Sequence, residues 1–233
     1  SAGNIFACNC KKTMKAIILA AGEGTRMRSL TLKTPKPLLA LNKKPILEHV
    51  LDALPDEITE AVVVVKYLKD QIKDFLGNKF KGRKISYVEG SDKGTAYSFL
   101  AAKDFIEKDE RFLFLYSDEF PFRENIDACL MHPLSILVFK SKTPETGGVV
   151  EVDDDDFIIN IEEKPEKPKT NLVADGLMAL DGSIFRYEPF TNTKGEYYLT
   201  SIVAQFIKDQ KVKAVCAKKF VGDITTPADL ERV

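Results

Sequence analysis

The chain has 233 residues, 44% hydrophobic and 30% charged, which allows one large α/β domain or two small ones with an ample core. Its 34 Lys and Arg nearly balance 35 Asp and Glu, so the net charge of −1 excludes a global field that attracts nucleic acid or an anionic membrane. No apolar run approaches the roughly 18 residues that cross a bilayer. The four cysteines, at 8, 10, 129 and 216, lack metal-ligand spacing, and we expect reduced thiols in a cytoplasmic protein.

Residues 1–13 differ in character from the rest of the chain. Met14 directly precedes the first apolar run and is a candidate native start. We therefore expect residues 1–13 to be a leader or vector-derived segment and residues 14–233 to form a single domain.

Strands and helices alternate after Met14. Apolar runs predict strands, and amphipathic spacing predicts helices. In chain order the predicted elements are strand 16–21, helix 45–54, strand 61–65, helix 67–76, strand 85–88, helix 95–106, strand 112–116, helix 126–131 and strand 135–139. This order is typical of an α/β fold with a Rossmann-like, mostly parallel sheet flanked by helices. Ligands bind beyond the carboxyl ends of such strands, so the loops after them are the expected site.

The pattern changes from about residue 145. Two short strands, 147–152 and 157–161, flank the acidic turn 153–156 and predict a hairpin. A further strand at 172–180 precedes a helix at 197–208 that returns to the core. We expect a small antiparallel lobe, so that the sheet as a whole is mixed.

The loop after the first strand combines glycine with positive charge. Gly22 and Gly24 can adopt backbone angles closed to other residues and let peptide N–H groups approach an anion. Arg26 and Lys36 follow closely, as do further cations at 28 and 33 that we expect to be solvated or at the rim. The chain has no P-loop, and Met27 stands where a dinucleotide fingerprint requires its third glycine. These features favour a polyphosphate ligand.

Leu19 to Met27, Thr31 and Pro35-Lys36-Pro37 together resemble the opening motif of the sugar-1-phosphate nucleotidyltransferases, also called nucleotide-sugar pyrophosphorylases. The resemblance implies the nucleotide-diphospho-sugar transferase fold, with 14–140 mainly nucleotide-binding, 141–195 mainly sugar-phosphate-binding and 196–233 returning to the core. It implies nucleotide contacts from Leu19, Ala20, Ala21, Gly22, Gly24, Thr25, Arg26, Lys36, Glu89, Gly94 and Thr95.

The implied catalytic residues are Arg26, Lys36 and Asp118. In this family the arginine grips the leaving phosphates and the lysine approaches the α-phosphate. Prolines on both sides of Lys36 fix its backbone and pre-aim its side chain. Asp118 follows a buried strand, where a carboxylate is costly unless a cation meets it. Asp118 and Asp223 match the family's Mg²⁺ ligands, with Ser117 and Thr225 replacing two family glycines.

The implied sugar-phosphate site lies in the second half of the chain. Glu163-Lys164-Pro165 matches the family's Glu-Lys-Pro, in which the glutamate accepts hydrogen bonds from sugar hydroxyls and the lysine holds the phosphate. Glu162 should face the other way on the strand. Three weaker matches complete the set: Gly148, Asn171 and Gly176. Glu196, His49 and His132 are expected to have structural roles or to be exposed.

Glu89 stands where thymidylyl enzymes of the family carry glutamine. An ionised carboxylate only accepts hydrogen bonds, which suits guanine N1–H and N2–H₂ or a single uracil N3–H. Guanylyl, uridylyl and cytidylyl transfer therefore stay open.

The sequence predicts a Mg²⁺-dependent, cytoplasmic nucleotidyltransferase whose partners are an NTP and a sugar 1-phosphate, without nucleic acid or membrane. Two alternatives are a cytidylyltransferase acting on a phosphoalcohol such as phosphocholine and a non-catalytic nucleotide-sugar-binding regulator. The sugar, the pathway and the formation of a homo-oligomer stay open.

Overall fold

A computed structural model describes residues 13–191, 195–220, 224 and 226–232. Its strands are β1 Met14–Ala20, β2 Ala40–Leu41, β3 Lys44–Pro45, β4 Ile58–Val65, β5 Lys79–Phe80, β6 Arg83–Glu89, β7 Arg111–Tyr116, β8 Ser135–Lys140, β9 Gly148–Val152, β10 Ile158–Glu163, β11 Leu172–Asp181 and β12 Lys213–Cys216. Its α-helices are α1 Ile46–Ala53, α2 Lys69–Leu76, α3 Thr95–Leu100, α4 Arg123–Leu130, α5 Leu199–Asp209 and α6 Asp229–Arg232. No helix in these ranges is long and apolar enough to cross a membrane.

Ten of the strands form one mixed sheet. The order β10-β9-β11-β7-β1-β4-β6-β5 runs across it, and β8 pairs with β11 and β12. At its centre β1 is parallel to both β4 and β7, so that Ile18 lies opposite Val63 on one side and Leu115 on the other. The carboxyl ends of β1, β4, β6 and β7 therefore meet at one edge. The predicted fold class is confirmed.

The antiparallel part is continuous with this sheet through β11. That strand is antiparallel to β7, β8 and β9, and β9 pairs with β10 in the predicted hairpin. The register of β11 against β8 shifts between Ala174 and Met178. An irregularity of this kind re-aims the residues inside it, here Asp175 and Gly176, and both line a cavity.

The core consists of a hydrophobic cluster on each face of the sheet. Side chains of β1 alternate between the clusters, with Ile17 and Leu19 in one and Ile18 and Ala20 in the other. The first cluster holds the aromatic residues Phe99, Phe112, Phe114, Phe185 and Phe206. Both faces of the parallel strands are thus covered, as a continuous apolar sequence requires.

The predicted helix at 95–106 is wrong in its extent. The α-helix ends at Leu100, and a separate 3-10 turn covers Lys103–Phe105. The Ala102 N–H bonds to the Phe99 carbonyl and the Phe105 N–H to the Ala102 carbonyl, each three residues back. These tighter bonds interrupt the helix while Ala102 and Ile106 still enter the core.

Candidate active site

A cavity of about 940 Å³ opens at the carboxyl edge of the parallel strands. One half is lined by the loop after β1, the start of the β4–α2 connection and the loop after β6. The other half is lined by the ends of β7 and β10, the irregular part of β11 and residues 198–200. The volume is within the range of small-ligand sites.

The glycine loop of the first half depends on Gly24. Gly24 has φ +65°, and a Cβ there would lie 3.0 Å from Lys36 Cβ and 3.1 Å from Thr31 Cγ2. The Thr31 hydroxyl donates to the Gly24 carbonyl at 3.0 Å and closes the loop. Gly22 differs, because its φ is not positive and a Cβ built there would lie in open space. Its missing side chain leaves room in the cavity without relieving strain.

Lys36 and Asp118 both line the cavity and form an ion pair. Lys36 Nζ lies 2.5 Å from Asp118 Oδ2, and the lysine and aspartate side chains are 7% and 34% exposed. Pro35 precedes a 3-10 turn, Lys36–Leu38, that holds the lysine backbone. A nearly buried ammonium that points at a partly open carboxylate gives the cavity one fixed positive and one fixed negative group. Arg26 lines the same cavity but is exposed.

Backbone hydrogen bonds hold the chain at Asp118, the first of the two predicted Mg²⁺ ligands. Ser117 lies between the end of β7 and Asp118, and its N–H donates to the Leu19 carbonyl at 3.1 Å. The Ile224 N–H donates to the Asp118 carbonyl at 3.4 Å. Asp223, the second predicted ligand, lies outside the described residues. Within those residues no cluster of three or more His, Cys, Asp or Glu could hold a metal ion. One carboxylate completed by substrate phosphates fits Mg²⁺, which retains few protein ligands.

The loop after β6 connects the first half of the cavity to the start of α5. Gly94 has φ +118° and packs so tightly on the Tyr197 carbonyl that a Cβ would collide with it. The Ala96 N–H donates to that carbonyl at 3.1 Å, and Thr95 Oγ1 accepts from the Leu199 N–H at 3.0 Å. Gly94-Thr95-Ala96 therefore requires glycine at its first position.

Glu89 is the last residue of β6, is exposed, and is paired with a lysine. Its Oε2 accepts from Lys69 Nζ at 2.8 Å. This ammonium lowers the pKa of Glu89, so the carboxylate is ionised at neutral pH. Glu89 lines the cavity and presents a hydrogen-bond acceptor there, while Lys69 holds its carboxylate from outside the lining.

The second half holds Glu163 and Lys164. Glu163 is 16% exposed and accepts from the Thr200 hydroxyl at 3.0 Å. Burial raises the pKa of Glu163 despite that bond and the charge of Lys164. Burial alone would lower the pKa of Lys164. Its hydrogen bond to the Tyr198 hydroxyl at 2.9 Å and the charge of the nearby Glu163 have the opposite, larger effect, so the pKa is raised. Glu162 is exposed, as the strand alternation predicts.

Most of the predicted site residues line this one cavity. They are Leu19, Ala21, Gly22, Gly24, Thr25, Arg26, Lys36, Glu89, Gly94, Thr95, Asp118, Gly148, Glu163, Lys164 and Gly176. Ala20 does not, because its side chain lies in the cluster on the opposite sheet face. Asn171 is exposed, and its carbonyl accepts from the Ser141 N–H.

The cavity also contains acidic residues that the motifs do not indicate. Glu119 Oε1 accepts from the Gly176 N–H at 3.2 Å, and a Cβ on Gly176 would collide with this carboxylate and with the Tyr116 ring. The Asp175 side chain bonds to Glu119, and burial raises the pKa of Asp175. The sequence contains one indication of this pair, which is the acidic residue Asp175 within the largely apolar strand β11.

The His49 side chain has packing contacts, and His132 takes part in a hydrogen bond through its backbone. His49 Nε2 lies 2.9 Å from the Leu41 carbonyl, and its ring packs 5.1 Å from that of Phe120. The His132 carbonyl accepts from the Arg111 guanidinium. The Tyr198 hydroxyl donates to Glu196 Oε2 at 2.6 Å, so Glu196 supports the tyrosine that meets Lys164.

Known proteins with related sequences and structures give an independent comparison. Residues 15–232 match the model of a family described as nucleotidyl transferase. The Bifunctional protein GlmU of Methanocaldococcus jannaschii is 36% identical over 220 residues, which are 93% of this chain and 52% of that protein. The UTP–glucose-1-phosphate uridylyltransferase AglF of Haloferax volcanii is 31% identical over 231 residues, 93% of each chain.

Among solved structures, a Bacillus anthracis protein designated a glucose-1-phosphate thymidylyltransferase superposes with a TM-score of 0.81 at 26% identity. The match covers 94% of this chain and 93% of that one. The chain spans about half the length of the GlmU relatives that it matches.

Proposed function

This chain belongs to the nucleotidyl transferase family, and on that premise we propose that it transfers a nucleotidyl group from an NTP to a sugar 1-phosphate and releases pyrophosphate. The observation that carries the proposal is the position of the Lys36–Asp118 pair. It lies in one cavity between the glycine loop on one side and Glu163 with Lys164 on the other. Two anionic substrates could thus meet over a fixed ammonium.

The proposed reaction needs little covalent chemistry from the protein. A phosphate oxygen of the sugar 1-phosphate attacks the α-phosphorus of the NTP, the bond to the β-phosphate oxygen breaks, and pyrophosphate leaves with the electron pair. The attacking phosphate is already a nucleophile, so positioning and charge stabilisation supply most of the rate. Lys36 stabilises charge at the α-phosphate, and Arg26 at the rim holds the leaving phosphates.

The remaining charged groups orient the substrates. Lys164 binds the phosphate of the sugar, and the Glu163 carboxylate accepts from two sugar hydroxyls. Asp118, with Asp223, would hold a Mg²⁺ ion that neutralises phosphate charge when it is bound. Removal of divalent cations with EDTA should then abolish turnover, and added Mg²⁺ should restore it.

We propose UTP as the nucleotide and a hexose 1-phosphate as the acceptor. The Glu89 carboxylate, held by Lys69, lines the cavity and can accept from uracil N3–H. AglF, whose match covers 93% of each chain, is named for UTP and glucose 1-phosphate. Guanine N1–H and thymine N3–H could donate to the same carboxylate, so GTP and dTTP are the competitors that the experiment must separate.

The test is a coupled pyrophosphate-release assay over five NTPs (ATP, GTP, CTP, UTP and dTTP) and a panel of phosphorylated acceptors. The panel contains hexose 1-phosphates, amino-sugar 1-phosphates and phosphocholine. Release with UTP and a sugar 1-phosphate supports the proposal. Release only with CTP and phosphocholine would identify a cytidylyltransferase. No release with any pair, together with nucleotide-sugar binding in calorimetry, would identify a regulator and contradict the proposal.

A further inference from the structure

The β4–α2 connection and the first turn of α2 contact the chain after the glycine loop through two side chains. The Tyr67 hydroxyl donates to the Thr31 carbonyl at 2.8 Å, and Gln71 Nε2 donates to the Lys33 carbonyl at 2.9 Å. Both acceptors lie at or just after the end of the 3-10 helix, Thr25–Thr31, that follows Gly24. Residues 66–71, named the strap here, therefore hold the far end of the phosphate-facing loop.

The strap also contacts the loop after β6. Lys66 forms an ion pair with Asp92, and Lys69 forms one with Glu89. The sheet explains this proximity, since Val65 and Glu89 are register partners at the ends of parallel β4 and β6. The strap thus bridges the two loops that line the nucleotide half of the cavity, and Lys66, Tyr67 and Leu68 line that cavity themselves.

The strap backbone has an unusual conformation that supports a specific role. Leu68 has φ 48° and ψ 36°, a left-handed conformation that a leucine seldom adopts. The Lys69 N–H to Lys66 carbonyl bond and the Gln71 N–H to Leu68 carbonyl bond enclose this turn. Strained backbone of this kind persists where the surrounding contacts fix it, and it is concentrated at functional sites.

Thr31 carries the effect of Tyr67 into the site. The Thr31 carbonyl accepts from Tyr67, while its hydroxyl donates to the Gly24 carbonyl and its methyl group lies against Gly24. Gly24 in turn packs on the stem of Lys36. One buried threonine therefore connects the strap to the loop that faces the phosphates and to the central lysine.

We propose that the strap fixes the distance between the phosphate-facing loop and the base-facing loop, and that Tyr67 is a positioning residue for the NTP. The inference depends on the proposed function, because it assumes that these loops hold a nucleotide. It predicts that loss of the Tyr67 hydroxyl weakens NTP binding and leaves binding of the sugar 1-phosphate unchanged.

The test compares Tyr67→Phe with a matched control, Tyr87→Phe. The Tyr87 hydroxyl also donates to a backbone carbonyl, that of Gly77, at 2.6 Å, and Tyr87 does not line the cavity. Tyr67→Phe removes the bond to Thr31 and a longer contact to the Leu32 carbonyl at 3.4 Å, and Tyr87→Phe removes the bond to Gly77. We expect Tyr67→Phe to raise KM for the NTP about fivefold, because the net free energy of one hydrogen bond corresponds to a change of that size in affinity. The kcat and the KM for the sugar 1-phosphate should stay within about twofold of wild type. Tyr87→Phe should leave both KM values unchanged.

Gln71→Ala and calorimetry complete the test. Gln71→Ala should raise KM for the NTP in the same direction, and the melting temperatures of the variants show whether each is folded. Titration of the NTP measures its Kd without turnover, so the strap is tested even if no acceptor is turned over and the proposed function fails. Equal KM changes in Tyr67→Phe and Tyr87→Phe, or an equal rise in KM for the sugar 1-phosphate, would overturn the inference. Absence of NTP binding by the wild type would overturn both proposals.

Discussion

Replacement of Lys36 by methionine tests the centre of the proposed mechanism. Methionine keeps an unbranched, apolar stem against Gly24 and removes only the ammonium that lies 2.5 Å from Asp118. The lysine side chain is 7% exposed and fixed between two prolines, so its ammonium is a preorganised group in a partly dehydrated site. Loss of one such group typically lowers kcat by about 10²–10³, or about 2.7–4 kcal/mol of transition-state stabilisation.

The expected loss of stability is much smaller. Asp118 is 34% exposed, so water can solvate its carboxylate once the lysine is gone. We expect the free energy of unfolding to fall by about 1 kcal/mol, as for an ion pair with partial access to solvent. The two effects can be separated, because the activity loss should exceed what partial unfolding explains.

The assay is pyrophosphate release at saturating NTP and sugar 1-phosphate, with urea denaturation in parallel. Lys44→Met is the matched control, since Lys44 Nζ lies 2.6 Å from Asp52 Oδ2 and both side chains are 33% exposed. Asp52 keeps a second partner, Lys81, so that variant should lose at most a similar amount of stability and should retain its kcat. A Lys36→Met enzyme with kcat within about twofold of wild type, or a decrease that Lys44→Met reproduces, would refute the role of Lys36.

Three further predictions concern the second half of the cavity and the thiols. Gly176→Ala should lower kcat/KM for the sugar 1-phosphate by about tenfold and leave KM for the NTP unchanged in initial-rate measurements, because the new Cβ collides with Tyr116. Burial raises the pKa of Glu163, so its carboxylate takes up a proton as the pH falls through that raised value. KM for the sugar 1-phosphate should therefore rise toward low pH in the wild type. Glu163→Gln, which has no carboxylate to protonate, should not show this rise. Burial raises the pKa of Cys129 to about 12, whereas Cys216 is exposed. After treatment with a thiol reagent at pH 8, peptide mapping should therefore find Cys216 labelled and Cys129 unlabelled. Equal labelling of the two thiols would contradict the burial of Cys129.

The local features of this protein follow from short-range sequence. The continuous apolar run of β4 predicts a strand buried on both faces, and the spacing in α1 predicts a helix with one apolar face. Gly24 adopts the positive φ that a glycine in this loop suggests. Alternation along β10 correctly separates Glu163 from Glu162. These properties depend on residues that are close together in the sequence, so the spacing of apolar residues along the chain is enough to predict them.

The tertiary structure decided which distant residues meet. Glu119 and Asp175 are 56 positions apart and touch only because β11 returns antiparallel beside β7 with an irregular register. The bond from Tyr67 to Thr31 and the Lys69–Glu89 pair likewise need the parallel order of β1, β4 and β6. A sequence pattern carries backbone and amphipathic preferences, whereas contacts between loops depend on strand order and register, which are set by packing across the whole sheet.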